Sequence, residues 1–253
     1  MNWIGLQAMF VKEVRRFSKV WLQTILGPLI TTSLYFLVFG LALGSRLRTV
    51  QGVPYVEFVV PGLMMLAMIN AAFLNVSSSL FQSKINGTVV DFLVAPLGPL
   101  ELLLAYVAAA VLRALIVGAL VYAVAEVFTH IRVVHIGHTL AFGVAVSALF
   151  ALVGMVAAVW SEKFDHLAIF PNLVLTPLTF LGGVFYSVGM LPEPWRTVSL
   201  FNPLLYMVNG LRFGLLEISD VSVAGTWGAV GLLLLVVGGV AWRMLARGYK
   251  LQD

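Results

Sequence analysis

The sequence predicts an all-α membrane protein, a single domain over residues 1–253 that crosses the bilayer six times. Hydrophobic residues make up 61% of the chain and charged residues only 10%, with a mean hydropathy of +1.02. Soluble domains carry roughly 45–50% apolar and about 25% charged residues. The charges lie almost entirely between long apolar stretches. Because a hydrocarbon core offers no water to backbone groups, such stretches should cross it as helices.

The chain begins with a segment, residues 3–18, that we expect to lie on the membrane as an amphipathic helix. Apolar side chains recur in it at helical spacing, while Lys12, Arg15, Arg16 and Lys19 supply a basic side. The same charges argue against a cleavable signal peptide, whose central region should be apolar.

Six apolar stretches follow, each close to the roughly 20 residues that a membrane-spanning helix needs. In the first of them, Gly27-Pro28 predicts a local kink because proline removes a backbone donor. The predicted spans are residues 21–43, 56–81, 101–125, 139–160, 167–186 and 226–245.

The segment between the fifth and sixth spans, residues 187–224, does not read as an ordinary loop. Its apolar part, residues 204–216, would cover only about 20 Å as a helix, which is too short to cross. We expect it to enter the outer leaflet and turn back, or to lie at the interface. Asn202-Pro203 supplies the start of its helix, a capping residue followed by a first-turn proline.

Polar side chains on the spans indicate faces that should avoid lipid. Asn75, Ser78, Ser79 and Gln82 fall on one side of the second span, so that side should meet protein or water. Contact between helices and contact with substrate both remain open. Polar positions that suit lipid-like and drug-like cargo equally well are Asn70, Asn75, Ser78, Thr176 and Thr179.

Two arginines stand apart from the other charges. Arg113 lies deep in the third span, where an unpaired charge costs about 2.5–3.5 kcal/mol on insertion scales, and Glu101 is about 18 Å of helix away. Arg113 should therefore pair with or snorkel beside another helix, or contact an anionic substrate. Arg212 either anchors its helix on lipid phosphate or, with Tyr206 and Asn209 three apart on one side, touches a departing head group.

Lysines and arginines also predict the orientation, since they accumulate on the cytoplasmic side of membrane proteins. With six spans both termini share one side, and that side collects nine of the fifteen basic residues. Both termini are therefore expected in the cytoplasm. The nine are Lys12, Arg15, Arg16, Lys19, Lys84, Lys163, Arg243, Arg247 and Lys250.

Several kinds of chemistry are excluded or unsupported. The chain has no cysteine, which rules out disulfides, thiolate zinc sites and cysteine nucleophiles. It contains neither a phosphate-binding loop nor an H-E-x-x-H motif, so we expect no catalytic residue, metal or cofactor in it. The charge of +4 is explained by basic residues that flank spans, and no nucleic-acid partner is expected. The four histidines, scattered in or beside breaks, are His130, His135, His138 and His166.

Five segments, in order along essentially the whole chain, resemble the membrane subunits of bacterial ABC-2 type transporters. These permeases pair with ATP-binding cassette subunits in drug, glycolipid and polysaccharide export. The matching segments are WLQTILGPLITTSLYFLVFG (21–40), YVEFVVPGLMM (55–65), DFLVAPLGPLELLLA (91–105), LTPLTFLGGVFYSVGMLP (175–192) and FNPLLYMVNGLRFGLLE (201–217).

The resemblance implies a role for each unusual segment. Residues 3–18 are similar to the family's connecting helix, residues 84–98 to the coupling helix that seats in a groove of the ATPase, and residues 188–218 to its extracellular re-entrant helices. It further implies an inner-membrane homodimer with two ATPase subunits, which hold ATP and Mg²⁺, and outward movement of an amphipathic substrate. The coupling residues would be Lys84, Gly87, Thr88, Asp91, Phe92, Ala95 and Pro96.

Two other classes of membrane protein are alternatives. An ion-coupled secondary transporter should carry charges inside several spans and internal repeats, whereas only Arg113 lies within a span. An intramembrane enzyme would need a convergent set of histidine, carboxylate or serine side chains, and the sequence offers none.

Overall fold

The structure is a computed structural model that describes residues 2–39, 49–90 and 95–250, and the regular structure of these residues is nearly all helical. A two-stranded antiparallel hairpin precedes the longest helix. In chain order the elements are α1 (Trp3–Lys19), a π-helical turn (Leu22–Leu26), α2 (Gly27–Leu37), β1 (Thr49–Val50), β2 (Val53–Pro54), α3 (Tyr55–Ile85), α4 (Pro99–Phe128), α5 (Ile136–Trp160), α6 (Phe164–Ile169), a second π-helical turn (Phe170–Leu175), α7 (Thr176–Phe180), a 3-10 turn (Val188–Met190), α8 (Trp195–Leu200), α9 (Pro203–Leu216) and α10 (Val223–Ala246).

Four helices in the described part of the chain are long and apolar enough to cross a membrane, namely α3, α4, α5 and α10. They correspond to the second, third, fourth and sixth predicted spans, with ends that differ by at most four residues. The other two predicted spans are helical but interrupted. The first comprises a π-helical turn and α2, and its end at 40–43 lies outside the described residues; the fifth is divided among α6, a π-helical turn and α7.

Proline explains both interruptions. Pro28 lacks the N–H that would complete an α-helical hydrogen bond, and a π-helical turn ends directly before Gly27. The interruption expected at Gly27-Pro28 therefore takes the form of a wider helical turn. Pro171 is the second residue of the corresponding turn in the fifth segment, and Pro177 is the second residue of the helix α7 that follows it.

Helix α3 lies at the centre of the bundle. In its most apolar stretch 78% of the residues are buried inside the protein, against 17% for α10, so α10 is a peripheral helix. Phe58, Met65 and Phe73 of α3 are fully buried. A Cβ atom on Gly154 of α5 would lie 2.5 Å from the carbonyl oxygen of Phe73, so the two helices touch through their backbones.

Hydrogen bonds gather the inter-helix segments at two opposite ends of the bundle. At the first end the Asn2 side chain donates to the Pro96 carbonyl (3.1 Å) and Lys250 donates to Glu162 (2.5 Å). This hydrogen bond from Lys250 lowers the pKa of the Glu162 carboxyl. At the second end Gln51 donates to Asp220 (2.6 Å), Tyr55 to the Phe185 carbonyl (3.1 Å) and the His135 N–H to the Gly214 carbonyl (2.9 Å). The grouping agrees with the sides assigned from the predicted spans.

Candidate functional site

The polar cluster at the first end of the bundle includes a buried carboxylate of α1, that of Glu13. Met9, Glu13 and Phe17, spaced four residues apart, form the buried face of α1, and Glu13 is 0% exposed. Its Oε1 accepts from Ser79 Oγ of α3 (2.8 Å), and its Oε2 accepts from Arg16 Nε (3.1 Å). The sequence interpretation missed Glu13, although its position between two apolar residues on one helical face was the available signal.

Arg16 of α1 also belongs to this cluster and contacts polar groups of α3. Its Nη2 donates to the backbone carbonyl of Asn75 (2.7 Å) and to Asn75 Oδ1 (3.1 Å), and its Nη1 lies 3.4 Å from Ser78 Oγ. This face of α3 was predicted to meet protein or water, and Asn75, Ser78 and Ser79 do contact protein groups of α1, while Gln82 is exposed. The expected basic side of α1 needs a correction, since Arg16 points into the bundle.

Arg113 of α4 reaches the same amide. Its Nη1 donates to Asn75 Oδ1 at 3.3 Å, so two guanidinium groups converge on one oxygen. Among residues 2–39, 49–90 and 95–250 no carboxylate forms an ion pair with Arg113. The ion pair that we considered for Arg113 is therefore wrong for the described residues, although the expected contact with another helix is present.

Arg113 also lines a cavity of about 360 Å³ between α2, α3 and α4. Asn70 is in its wall, with the side-chain amide donating to the Leu66 carbonyl of its own helix (2.9 Å). The structure thus brings Asn70 and Arg113 together, with Asn75 and Ser78 beside them. The walls of the cavity comprise Thr24, Pro28, Thr31, Thr32, Tyr35, Leu63, Leu66, Ala67, Asn70, Ala71, Leu74 and Arg113.

The two threonines of the fifth segment do not belong to this cavity. Thr176 is exposed and donates to the Pro171 carbonyl (2.9 Å), while Thr179 is buried and donates to the Leu175 carbonyl (2.7 Å). Both hydroxyls therefore satisfy carbonyls within their own helical segment.

Arg212 occupies the opposite end and is fully buried. Its guanidinium donates to the Gly183 carbonyl (2.6 Å), lies 3.6 Å from a carboxylate oxygen of Asp220 and stands 3.9 Å above the ring centre of Phe58. Burial lowers the pKa of Arg212 to about 10, with Asp220 opposing the shift, so the group stays charged at neutral pH. The expected contact of Arg212 with lipid phosphate or a departing head group is thus incorrect in this structure.

The neighbours of Arg212 bond mainly within the protein as well. Asn209 Oδ1 accepts from the backbone N–H of Asp220 (2.7 Å), and Tyr206 donates to the Leu200 carbonyl (2.9 Å). Asp220 also accepts from Ser187 and from Gln51. Nothing in its local sequence signals this role. The expected helix start at Asn202-Pro203 is confirmed, since the Asn202 side chain accepts from the N–H of Leu204 (2.9 Å).

The segment expected to couple to an ATPase joins α3 to α4. Lys84 donates to the carbonyls of Val159 (3.1 Å) and Ser161 (3.0 Å) at the end of α5. Gly87 has φ +72°, a left-handed conformation that glycine adopts without strain, and Thr88 is exposed. Asp91 and Phe92 lie outside the described residues, as do residues 93 and 94 of the expected coupling helix.

The far end of this segment is attached to α1. The backbone N–H of Asn2 donates to the Glu101 carboxylate, and the Asn2 side chain donates to the Pro96 carbonyl (3.1 Å). Ala95 and Pro96 line a groove of about 390 Å³ against α1. The start of α1, residues 95–98 and the start of α4 therefore form one connected unit.

Comparison with known proteins agrees with this architecture. The family model described as ABC-2 type transporter matches residues 5–216. The chain is 39% identical over 256 residues to the inner membrane transport permease YadH of Escherichia coli K12, covering 100% of this chain and 99% of the relative.

More distant relatives are two nodulation protein J sequences. The one from Rhizobium leguminosarum bv. trifolii is 26% identical over 237 residues, covering 93% of this chain and 89% of the relative. The one from Sinorhizobium fredii is 28% identical over 223 residues, covering 85% and 82%. The apolar helices and the inner-membrane relative support a bacterial inner-membrane protein. The chain belongs to the ABC-2 type transporter family, whose members are the membrane subunits of ABC transporters.

Proposed function

We propose that the chain is the permease of an ATP-driven exporter that moves an amphipathic substrate, such as a drug, a lipid or a glycolipid or polysaccharide, out of the cytoplasm or inner leaflet. It would work as a homodimer with two ATPase subunits, which would hold the ATP and Mg²⁺. Six spans, two of them interrupted at prolines, would place both termini in the cytoplasm. The family match and the inner-membrane permease relative support the subunit class and the membrane.

One observation carries the coupling part of the proposal. The segment 84–98 is attached to the helix bundle at both of its ends. Lys84 binds the end of α5, and Pro96 binds Asn2 at the start of α1. Because α1 in turn binds α3 through Glu13 and Ser79, a displacement of this segment would reach the centre of the bundle.

Transport would then follow from a shift between two packings of the helices. ATP binding would bring the ATPase subunits together and move residues 84–98, and α1 would transmit that movement to Asn75 and Arg113 beside the cavity. The substrate path would include Asn70 and Ser78 as well, with Thr176, Thr179, Tyr206 and Asn209 as further positions to test. The ATPase contact would involve Lys84, Gly87, Thr88, Asp91, Phe92, Ala95 and Pro96.

Disulfide or thiol crosslinking tests the coupling segment directly, because the native chain has no cysteine. Thr88→Cys, at an exposed position, should crosslink to a cysteine-scanned groove of the co-expressed ATPase, more strongly with ATP than without. Thr197→Cys, exposed at the opposite end of the bundle, is the matched control and should not. Equal crosslinking at both positions, or none at Thr88 across the groove, would disprove the docking assignment.

A further inference from the structure

The polar cluster around Asn75 carries more positive than negative charge. Arg16 and Arg113 converge on Asn75 Oδ1 at 3.1 and 3.3 Å, and Lys12 lies 3.2 Å from the only carboxylate of the cluster in the described part of the chain, Glu13. Glu13 is bound by Arg16 and Lys12. Within the part of the chain that the structure describes, the guanidinium of Arg113 therefore has a neutral amide oxygen as its hydrogen-bond partner.

The same cluster contains hydrogen-bond donors for which the described part of the chain supplies no acceptor. Arg113 Nε and Asn75 Nδ2 are both buried and have no hydrogen-bond partner among residues 2–39, 49–90 and 95–250, and Asn75 is 0% exposed. Buried donors are ordinarily paired, and an unpaired one usually marks a missing acceptor. Two free N–H groups beside an uncompensated cation favour a group that is both anionic and rich in acceptors.

The cavity beside Arg113 has the shape and composition for the rest of such a molecule. The hydroxyl-bearing residues Thr31, Thr32 and Tyr35 line it together with Arg113. Apart from Thr24 and Asn70, the remaining wall is apolar and includes Leu66 and Leu74, and Leu74 is 45% exposed. An apolar chain could thus extend from the cavity into the surrounding lipid.

We propose that Arg113 binds the acidic head group, a phosphate or similar oxyanion, of a single-headed amphipathic anion whose apolar chain leaves the cavity along α3. This inference rests on the proposed function, since it names the class of molecule that the permease would take up. Arg113 holds the head group as a charge-assisted hydrogen-bond donor, and Arg16 adds positive potential from behind Asn75. Neutral and zwitterionic amphiphiles of equal chain length bind this site more weakly.

Native mass spectrometry of the full-length chain in dodecyl maltoside tests the site. The probes are lysophosphatidic acid, lysophosphatidylcholine with the same acyl chain, and inorganic phosphate. We expect one tightly bound lysophosphatidic acid per chain, with binding of the other two weaker by at least about tenfold, as for loss of a charged hydrogen bond. Equal binding of the zwitterionic lipid, or of inorganic phosphate alone, would overturn the amphipathic-anion assignment.

Variants locate the binding within the chain. Arg113→Gln should weaken lysophosphatidic acid binding by about tenfold or more, whereas Arg113→Lys should keep most of it. Ala67→Phe fills the cavity without touching the charge and should also weaken binding. Arg132→Gln, at an exposed position, is the matched control. Wild-type affinity in both Arg113→Gln and Ala67→Phe, with thermal unfolding that shows them folded, would disprove the site.

The coupling assignment of residues 84–98 and the anion site at Arg113 can be disproved independently of each other. Selective lipid-anion binding that depends on Arg113, combined with no Thr88 crosslink to the ATPase, would overturn the coupling assignment and support the anion site. A Thr88 crosslink to the ATPase, combined with lipid binding that does not depend on Arg113, would support the coupling assignment and overturn the anion site.

Discussion

Arg212 and Asp220 form an ion pair inside the protein, with Nη1 and Oδ2 3.6 Å apart and both side chains at most 6% exposed. The pair joins α9 to the segment that leads into α10. Because Asp220 also accepts from Ser187 and Gln51, it connects three inter-helix segments at one end of the bundle. The short apolar helix α9 is thereby fixed among α3, α5 and α10.

Arg212→Ala should lower the free energy of unfolding by about 3–5 kcal/mol, since Asp220 would keep a buried charge without its partner. The free energy of unfolding of Arg212→Lys should lie between those of the wild type and of Arg212→Ala, because lysine keeps the charge but loses the planar contact over Phe58. The measurement is the thermal unfolding midpoint of the purified protein in detergent, with the exposed Arg196→Ala as an unchanged control. A wild-type midpoint in Arg212→Ala, together with reduced export per folded protein, would reinstate a transport role.

Glu13→Gln should weaken the attachment of α1 to α3. Glutamine keeps the size of the side chain but removes the charge that Arg16 and Ser79 bind, so we expect a loss of about 1.5–3 kcal/mol in the free energy of unfolding. Export should also decrease relative to ATP hydrolysis, since α1 links the coupling segment to α3. The control is Glu162→Gln, in an exposed ion pair with Lys250 that should contribute little. Equal losses in the free energy of unfolding for Glu13→Gln and Glu162→Gln would contradict the stabilising role of Glu13 in the cluster.

Gly210→Ala should destabilise the protein by crowding α5. A Cβ atom there would meet three ring atoms of Phe142 at 2.2 to 2.7 Å, and overpacking costs about 1–3 kcal/mol. The gain in helix propensity from alanine, about 1 kcal/mol, should not offset it. A Cβ atom added at Gly231 of α10 would meet no neighbouring side chain or other helix within 4 Å in the described part of the chain, so Gly231→Ala should be neutral or stabilising. Thermal unfolding midpoints that shift in the same direction for both variants would refute this packing.

The proposed topology predicts which engineered cysteines an impermeant thiol reagent reaches in intact cells. Thr197→Cys should be labelled from outside, whereas Lys163→Cys, at the other end of the bundle, should react only after the membrane is opened. Both positions are exposed, so accessibility of the side chain does not limit the comparison. The reverse pattern would invert the orientation and with it the placement of residues 84–98 at the ATPase.

The sequence alone determined the structural elements that depend only on residues close together along the chain. Helices α3, α4, α5 and α10 were predicted with nearly correct ends because the length of an apolar stretch is a local property. The interruption at Gly27-Pro28 and the start of α9 at Asn202-Pro203 follow from backbone chemistry within a few residues. The family resemblance, carried by five such segments, agrees with the later family match.

Only the tertiary structure decided which groups the buried charges meet. Glu13 binds Ser79 across 66 residues of sequence, and Arg212 meets Asp220 beyond the end of its own helix. From the sequence, the charge of Arg212 was expected to lie near lipid head groups. The packing of α9 against α3 instead buries the Arg212 guanidinium over the ring of Phe58. A buried charge is stabilised by whatever polar atoms the packing brings within a few ångströms, and that proximity is set by helix packing rather than by the residues adjacent in sequence.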